Sequence, residues 1–328
     1  MTSFNTDALN KLCGNELTAL FNRDDITEIY VNDDGLIRYQ SHSEGKVKSQ
    51  IYVSPEKINT IIGYIAGQVG KIINSDVPSL SCEIGGYGFR FQAEVPPIVT
   101  HPQFNIRKKA IKIFTIEEYV KQGTLSSKYA VYLKNAIKER KNILVVGGTG
   151  TGKTTFLNAL LHSMAEISPF HRIISLEDLP ELQCPADDYS PMYTMQDTGK
   201  SGYLKYNMTR LLADCMRRSP DRIIVGEVRD GAAYTMLKAW NTGHPGGVCT
   251  VHANGAKAGL NRIKSLALED PAHATDIENL IGDAIQVVVG INHVEGPDGR
   301  KSRKITEILE VNGFNKVTQD YEITVINS

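Results

Sequence analysis

Cysteine is sparse in this chain. Five occur among 328 residues, at Cys13, Cys82, Cys184, Cys215 and Cys249, and no two form a CxxC pair. The odd, scattered set excludes a disulfide framework and a paired-cysteine zinc module, and reads as reduced thiols of a cytosolic protein. An excess of either charge is missing too. Lys and Arg total 36 against 37 Asp and Glu, a net charge of −1, so nothing in the overall balance draws the chain to nucleic acid or an anionic membrane. No segment reaches the roughly 18 apolar residues of a membrane-crossing helix. Met1–Asp7 has neither the basic flank nor the apolar run of a signal peptide. Internal repeats and low-complexity tracts are also lacking. What remains is an ordinary globular composition, 41% hydrophobic and 22% charged, long enough for two domains with a core each.

The first part has mixed α+β patterning. Ile26–Val31 alternates like a half-buried strand, Asn32–Gly35 reads as a turn, and Leu36–Tyr39 completes a hairpin. Pro55–Val69 carries Ile58, Ile61, Ile62 and Ile65 at helical spacing. Gly86–Val95 alternates again before Pro96-Pro97, and Phe104–Lys108 is a further short strand. A polar connection through Lys121–Ser127 and a helix over Tyr129–Arg140 lead onward. The expected division is therefore 1–120 as an N-terminal domain, 121–140 as linker and lead-in helix, and 141–328 as a second domain. There, short apolar strands at 142–146, 172–176, 222–226 and 247–251 alternate with helices, as a parallel sheet with crossovers requires. Ile285–Val289, Lys304–Val311 and Phe314–Thr324 look like antiparallel strands added at one edge. The expected class is α/β: a RecA-like phosphate-loop domain behind a smaller α+β domain.

The most specific segment is Gly147-Gly148-Thr149-Gly150-Thr151-Gly152-Lys153-Thr154, followed by Thr155 and set between the apolar run Asn142–Val146 and a helix. Strand, glycine loop and helix in that order are the context a phosphate-binding loop needs. Four glycines let the backbone N–H groups converge on phosphate oxygens, with the positive end of the helix beneath. Lys153 places a charge on the outer phosphates, and Thr154 offers a hydroxyl to Mg²⁺. The chain is expected to bind a nucleoside triphosphate.

Hydrolysis requires more than a loop. Arg222–Val225 is an apolar strand running into Gly226-Glu227, where Glu227 is placed to polarise water. An aspartate usually precedes that glutamate, and here Gly226 stands in its place. Ile173–Leu176 leads into Glu177, Asp178 and Glu181, carboxylates suited to holding Mg²⁺ through water. The alternative is a helix start, with Asp178 as cap and Glu181 closing a capping box. His252 ends another apolar strand and suits a γ-phosphate sensor; His244 lies ahead of the same strand. Two basic clusters, Arg107–Lys109 and Arg300–Lys304, lack interleaved aromatics and read as solvated surface.

Together these motifs resemble the traffic ATPases of bacterial secretion and conjugation, the type IV secretion branch in particular, and within it the TrbB-type conjugal transfer ATPases. The resemblance spans nearly the whole chain. It rests on Gly147–Thr155, the acidic box Leu176–Leu182, the run Ser219–Arg229 and the stretch Lys238–Gly247. In front it rests on Ile26–Asn32, Phe89-Arg90-Phe91, and Pro96-Pro97 with Ile106-Arg107-Lys108. It implies a homohexameric, Mg²⁺-dependent ATPase at the cytoplasmic face of the inner membrane, bound peripherally, that powers pilus assembly or substrate transfer. Implied partners are a channel ATPase and a coupling protein, without specific nucleic-acid binding. By motif, Glu227 is the catalytic carboxylate, Glu177 belongs to the acidic box and His252 to the histidine box. Arg90 and Arg107 match front-domain arginines directed at the nucleotide, and Arg217 matches one ahead of the second apolar strand. Gly226 is the family's own pattern. Two positions depart from it: Asp230–Ala233 lacks a glutamate common after Arg229, and Ser219 replaces a frequent arginine.

Pilus-retraction and type II secretion motors share these motifs, although the missing cysteine module weighs against many of them. A DNA-translocating motor would show DNA-stimulated hydrolysis with steep salt dependence. A GTPase lacks its guanine-reading NKxD segment here. A non-hydrolysing ring component is at odds with intact Lys153, Thr154 and Glu227.

Overall fold

The computed structural model describes residues 4–41, 44–108, 114–195, 206–295 and 301–328. Met1–Ser3, Lys109 and Arg300 of the segments discussed above fall outside them. The chain divides into two compact units, Met1–Ile111 and Lys112–Ser328.

In the first unit, α1 (Thr6–Phe21), β1 (Ile26–Val31), β2 (Leu36–Ser41), β3 (Gly45–Tyr52), α2 (Pro55–Gln68), β4 (Ser79–Ile84), β5 (Phe89–Glu94) and β6 (Gln103–Arg107) follow in order. The strands form one antiparallel sheet in the order β3-β2-β1-β6-β5-β4. Period-two alternation splits its residues by face. Ile29, Ile106, Phe91 and Cys82 lie side by side across four strands and are buried with Ile58, Ile61, Ile62 and Ile65 of α2. The register places Glu28, Arg107, Arg90 and Glu83 in the neighbouring row, on the opposite face.

The second unit comprises α3 (Ile116–Lys121), α4 (Ser127–Lys138), β7 (Ile143–Gly147), α5 (Lys153–Ile167), β8 (Ile173–Glu177), β9 (Tyr189–Tyr193), α6 (Met208–Met216), β10 (Arg222–Val225), α7 (Ala232–Asn241), β11 (Val248–His252), α8 (Ala256–Ala267), α9 (Ile277–Ala284), β12 (Val287–Glu295), β13 (Lys301–Asn315) and β14 (Asp320–Val325). The sheet order is β14-β13-β12-β7-β11-β10-β8-β9. β7, β8, β10 and β11 are apolar without alternation because both faces are covered. Leu144 and Val146 face the core built with α6–α9, while Ile143 and Val145 face the one built with α3–α5.

The last strands depart from expectation. β12 pairs parallel with β7, not antiparallel, because α9 carries the chain back across the sheet before it. The antiparallel pairings are those of β12 with β13 and of β13 with β14. Gly313 does not separate two strands. It sits at φ +135° in a bulge inside β13, where the backbone comes so close to α9 that a Cβ on Gly282 would lie 2.8 Å from it. The turn falls instead after Asn315, whose side-chain oxygen accepts from the N–H groups of Val317 and Thr318.

Arg222 at the start of β10 is fully buried. Its guanidinium donates to the carbonyls of Gly246 (3.1 Å) and Ile137 (2.9 Å) and to Nδ1 of His171 (3.0 Å). Burial and the neighbouring Arg140 lower its pKa to about 10. A Cβ on Gly246 would lie 2.4 Å from that guanidinium, and one on Gly247 2.1 Å from the Trp240 indole nitrogen. The Gly246-Gly247 pair is therefore required by packing.

Candidate functional site

The phosphate loop leaves the carboxyl end of β7, where an open α/β sheet presents its ligands. Gly150 (φ +74°) and Gly152 (φ +95°) hold the left-handed backbone the turn needs. Gly147 is constrained differently: a Cβ there would lie 2.4 Å from the Ile291 carbonyl and 2.6 Å from the Thr151 hydroxyl. That hydroxyl donates to the Gly148 carbonyl (3.0 Å) and closes the loop on itself. Thr149 and Gly150 are exposed at the tip, and Thr154 and Thr155 are half-buried in the first turn of α5.

Lys153 is buried, and its ammonium is folded back onto the loop. It donates to the carbonyls of Gly147 (3.0 Å) and Gly148 (2.9 Å) and lies 3.1 Å from Nδ1 of His252. His252 ends β11 directly opposite Gly147 of β7. With Nδ1 accepting from the ammonium, the ring N–H at Nε2 faces Glu227, 2.8 Å from its Oε1. Glu227 follows β10, the next strand over. Its other oxygen accepts from Arg229, which also lies 3.5 Å from Asp178. Asp178 in turn accepts from the Thr194 hydroxyl (2.9 Å). The ends of adjacent strands thus gather one chain of alternating charge beside the loop.

Glu177 is set deeper. Its side chain is buried, with Oε2 accepting the N–H groups of Glu181 (2.8 Å) and Leu182 (2.7 Å). Burial raises its pKa above the ordinary 4.5, while those N–H groups pull the other way. No helix begins at Asp178; the segment is irregular, and Glu181 presents its N–H to Glu177 in place of a capping box. Glu177 also accounts for Gly226. A Cβ at Gly226 would lie 3.3 Å from the Glu177 Cγ and 3.5 Å from the Leu176 carbonyl, so a larger side chain there would have to displace the buried Glu177.

Among the described residues there is no cluster of three His, Cys, Asp or Glu side chains able to enclose a metal. A cation held largely by phosphate and water needs fewer ligands, and hydroxyl and carboxylate oxygens suit Mg²⁺. Thr154 and Asp178 fit that role. Glu177, with Oε2 taken by two backbone N–H groups and Oε1 accepting from the Ser175 hydroxyl (3.3 Å), fits a position behind them.

Other expected residues lie elsewhere. Arg217 caps the carboxyl end of α6, 82% exposed, and pairs with Asp214 at 3.6 Å. It precedes β10, at the opposite end of that strand from Glu227. His244 likewise precedes β11, with Nδ1 3.2 Å from the Pro220 carbonyl, and is separated from the loop by the length of the strand. In the first unit Arg90 and Arg107 stand directly opposite each other on β5 and β6, flanked by Glu83 and Glu28 in the same row. The central pair is of like charge and each outer pair of opposite charge. Arg229, linking Glu227 to Asp178, carried no sequence signal beyond its place in the motif, because the link crosses from one strand end to another.

Comparison with known proteins extends the picture. The sequence model of the family described as type II/IV secretion system protein matches residues 76–307. The chain is 36% identical to a probable conjugal transfer protein TrbB of Sinorhizobium fredii, covering 95% of this chain and 92% of that protein. It is 30% identical to the type IV secretion system protein VirB11 of Bartonella quintana, covering 82% and 85%. In fold it is similar to the Legionella pneumophila ATPase DotB, with TM-score 0.62 and 17% identity over 97% of this chain and 84% of that one. The pilus retraction motor PilT with bound ADP gives TM-score 0.60 and 18% identity over 95% and 83%.

Proposed function

The chain belongs to the family of type II/IV secretion system proteins, and from that premise we propose that this secretion ATPase drives conjugative transfer or type IV secretion as a Mg²⁺-dependent homohexamer. The observation that carries the reading is the contact chain from Lys153 through His252 to Glu227, joining the ends of three adjacent strands at an intact phosphate loop.

In the proposed reaction the N–H groups of Gly147–Thr155 and the Lys153 ammonium hold the triphosphate. A phosphate replaces the Gly147 and Gly148 carbonyls and His252 as the partner of Lys153. His252, released from Lys153, then turns a ring N–H to the γ-phosphate. Glu227 orients the attacking water and accepts its proton. Glu177 acts by positioning, tying the irregular segment after β8 so that Asp178 stays beside the site. Thr154, and Asp178 through water, would hold Mg²⁺, which would supply charge neutralisation to the phosphates. Arg90 and Arg107 are the phosphate-directed pair of the first unit. Arg217, distant from the loop in its own chain, serves a site only from a neighbouring copy.

Among the described residues no helix is long and apolar enough to cross a membrane. The proposed attachment at the cytoplasmic face of the inner membrane is therefore through partners or lipid headgroups. The test is recovery of the Glu227→Gln protein, held with ATP, from its native membranes. Co-purification of a channel ATPase or coupling protein is expected; recovery of a pilus platform protein and pilins alone would move the protein to the pilus motors.

A further inference from the structure

Arg303 belongs to the basic run that reads in sequence as solvated surface, yet the fold carries it to the phosphate loop. β12 lies beside β7 with Gly290 opposite Val146, so the chain beyond Gly290 continues along the loop. The carbonyl of Ile291 lies 2.4 Å from where a Cβ of Gly147 would sit. β13 returns antiparallel with Ile305 opposite Ile291 and Arg303 opposite His293. The Arg303 side chain then ends against Gly152. A Cβ on that glycine would lie 3.4 Å from Cδ, 3.7 Å from Nη1 and 3.8 Å from Nε.

Two further observations bear on its purpose. Arg303 is exposed, and no ion pair or hydrogen bond of its side chain occurs among the described residues. A guanidinium with no ion-pair partner among the described residues, beside a loop of converging N–H groups and a buried ammonium, is placed against electrostatic preference, and a bound anion reverses the sign of that interaction. The sheet order also fixes the side of approach. His252 and Glu227 lie on the β11–β10 side of β7, whereas Arg303 arrives from the β12–β13 side. The water-activating groups and Arg303 therefore flank the loop from opposite directions.

We propose that Arg303 is a nucleotide-binding residue supplied in cis by the β12–β13 hairpin, its guanidinium contacting the phosphates that nucleoside di- and triphosphates share. The proposal rests on the nucleotide site described above. Because the contact is remote from Glu227, it strengthens ADP and ATP binding alike. A planar fork suits phosphate better than an ammonium does, so lysine is an incomplete substitute.

The test is calorimetric titration of the full chain with ADP, for wild type and for Arg303→Ala, Arg303→Lys and Lys153→Ala, alongside steady-state ATPase kinetics. The charge-assisted contact predicts an ADP dissociation constant about ten-fold higher in Arg303→Ala. Arg303→Lys should fall between it and wild type, and KM for ATP should rise by a larger factor than kcat falls. ADP affinity unchanged in both Arg303 variants, with wild type binding and Lys153→Ala not, would overturn the proposal while leaving the site intact. Absence of ADP binding in wild type would overturn the site itself. Should Arg303→Ala lower the melting temperature, the ADP affinity of a normally folded Arg303→Lys decides.

Discussion

The two sheets put chemistry in different places. In the second unit helices cover both faces of the sheet, so the charged side chains of β8, β10 and β11 stand at strand ends, and the carboxyl ends are where Lys153, His252 and Glu227 meet. In the first unit the apolar residues gather on one face and the other carries the row Glu28, Arg107, Arg90 and Glu83. A doubly covered parallel sheet concentrates function in the loops at the carboxyl ends of its strands. A half-covered antiparallel sheet can offer function from the middle of a strand, at a cost in cross-strand repulsion.

Substitutions can break that contrast at either end. The largest effect is expected from Glu227→Gln, which should lower kcat by about 10²–10⁴-fold while ADP affinity is retained; hydrolysis at the wild-type rate would remove Glu227 from the mechanism. Gly247→Ala addresses the opposite end of the same sheet. A methyl there meets Trp240 and the Ile223 carbonyl, 2.6 Å away, and should cost about 3 kcal/mol in denaturant unfolding. Unchanged stability would mean the backbone yields where its packing indicates it cannot.

A smaller effect concerns Glu177. Burial raises its folded pKa, so the folded state binds a proton more readily than the unfolded chain does. Its contribution to stability is complete below the ordinary carboxylate value of 4.5 and is lost as pH rises through the raised folded value. The melting temperature of wild type relative to Glu177→Gln should therefore increase as pH falls from neutral toward 4.5. A decrease over that interval would reverse the assignment. The smallest effect belongs to the arginine row. Arg107→Gln removes the like-charge neighbour of Arg90 and the opposite-charge neighbour of Glu28 together, so stability should change by less than about 1 kcal/mol while ATPase activity falls. A variant with unaltered activity would leave the pair as surface charge.

Much of this was legible in the sequence because the signals are local. Loop glycines, apolar runs ending in Glu177 and Glu227, and the alternation of Phe89–Glu94 each depend on residues a few positions apart. Non-local relations were not legible. Ile285–Val289 has the composition of any buried strand, and its parallel pairing with β7 depends on the path of α9. Asp178 and Glu181 have the spacing of a capping box, but the buried Glu177 oxygen captured the Glu181 N–H first. His244 and His252 bracket one short strand, and a strand keeps its two ends apart.

The sequence by itself determined that a phosphate loop follows an apolar strand, that carboxylates and a histidine end other strands, and that two differently patterned halves share the chain. These are consequences of backbone preference and periodicity, which act over a few residues. The tertiary structure decided which strand ends are neighbours, that Glu177 fills the space beside Gly226, and that Arg303 reaches Gly152 while Arg217 and His244 do not reach the loop. Those outcomes follow from strand order and register, which are set by burial of whole faces rather than by any single segment.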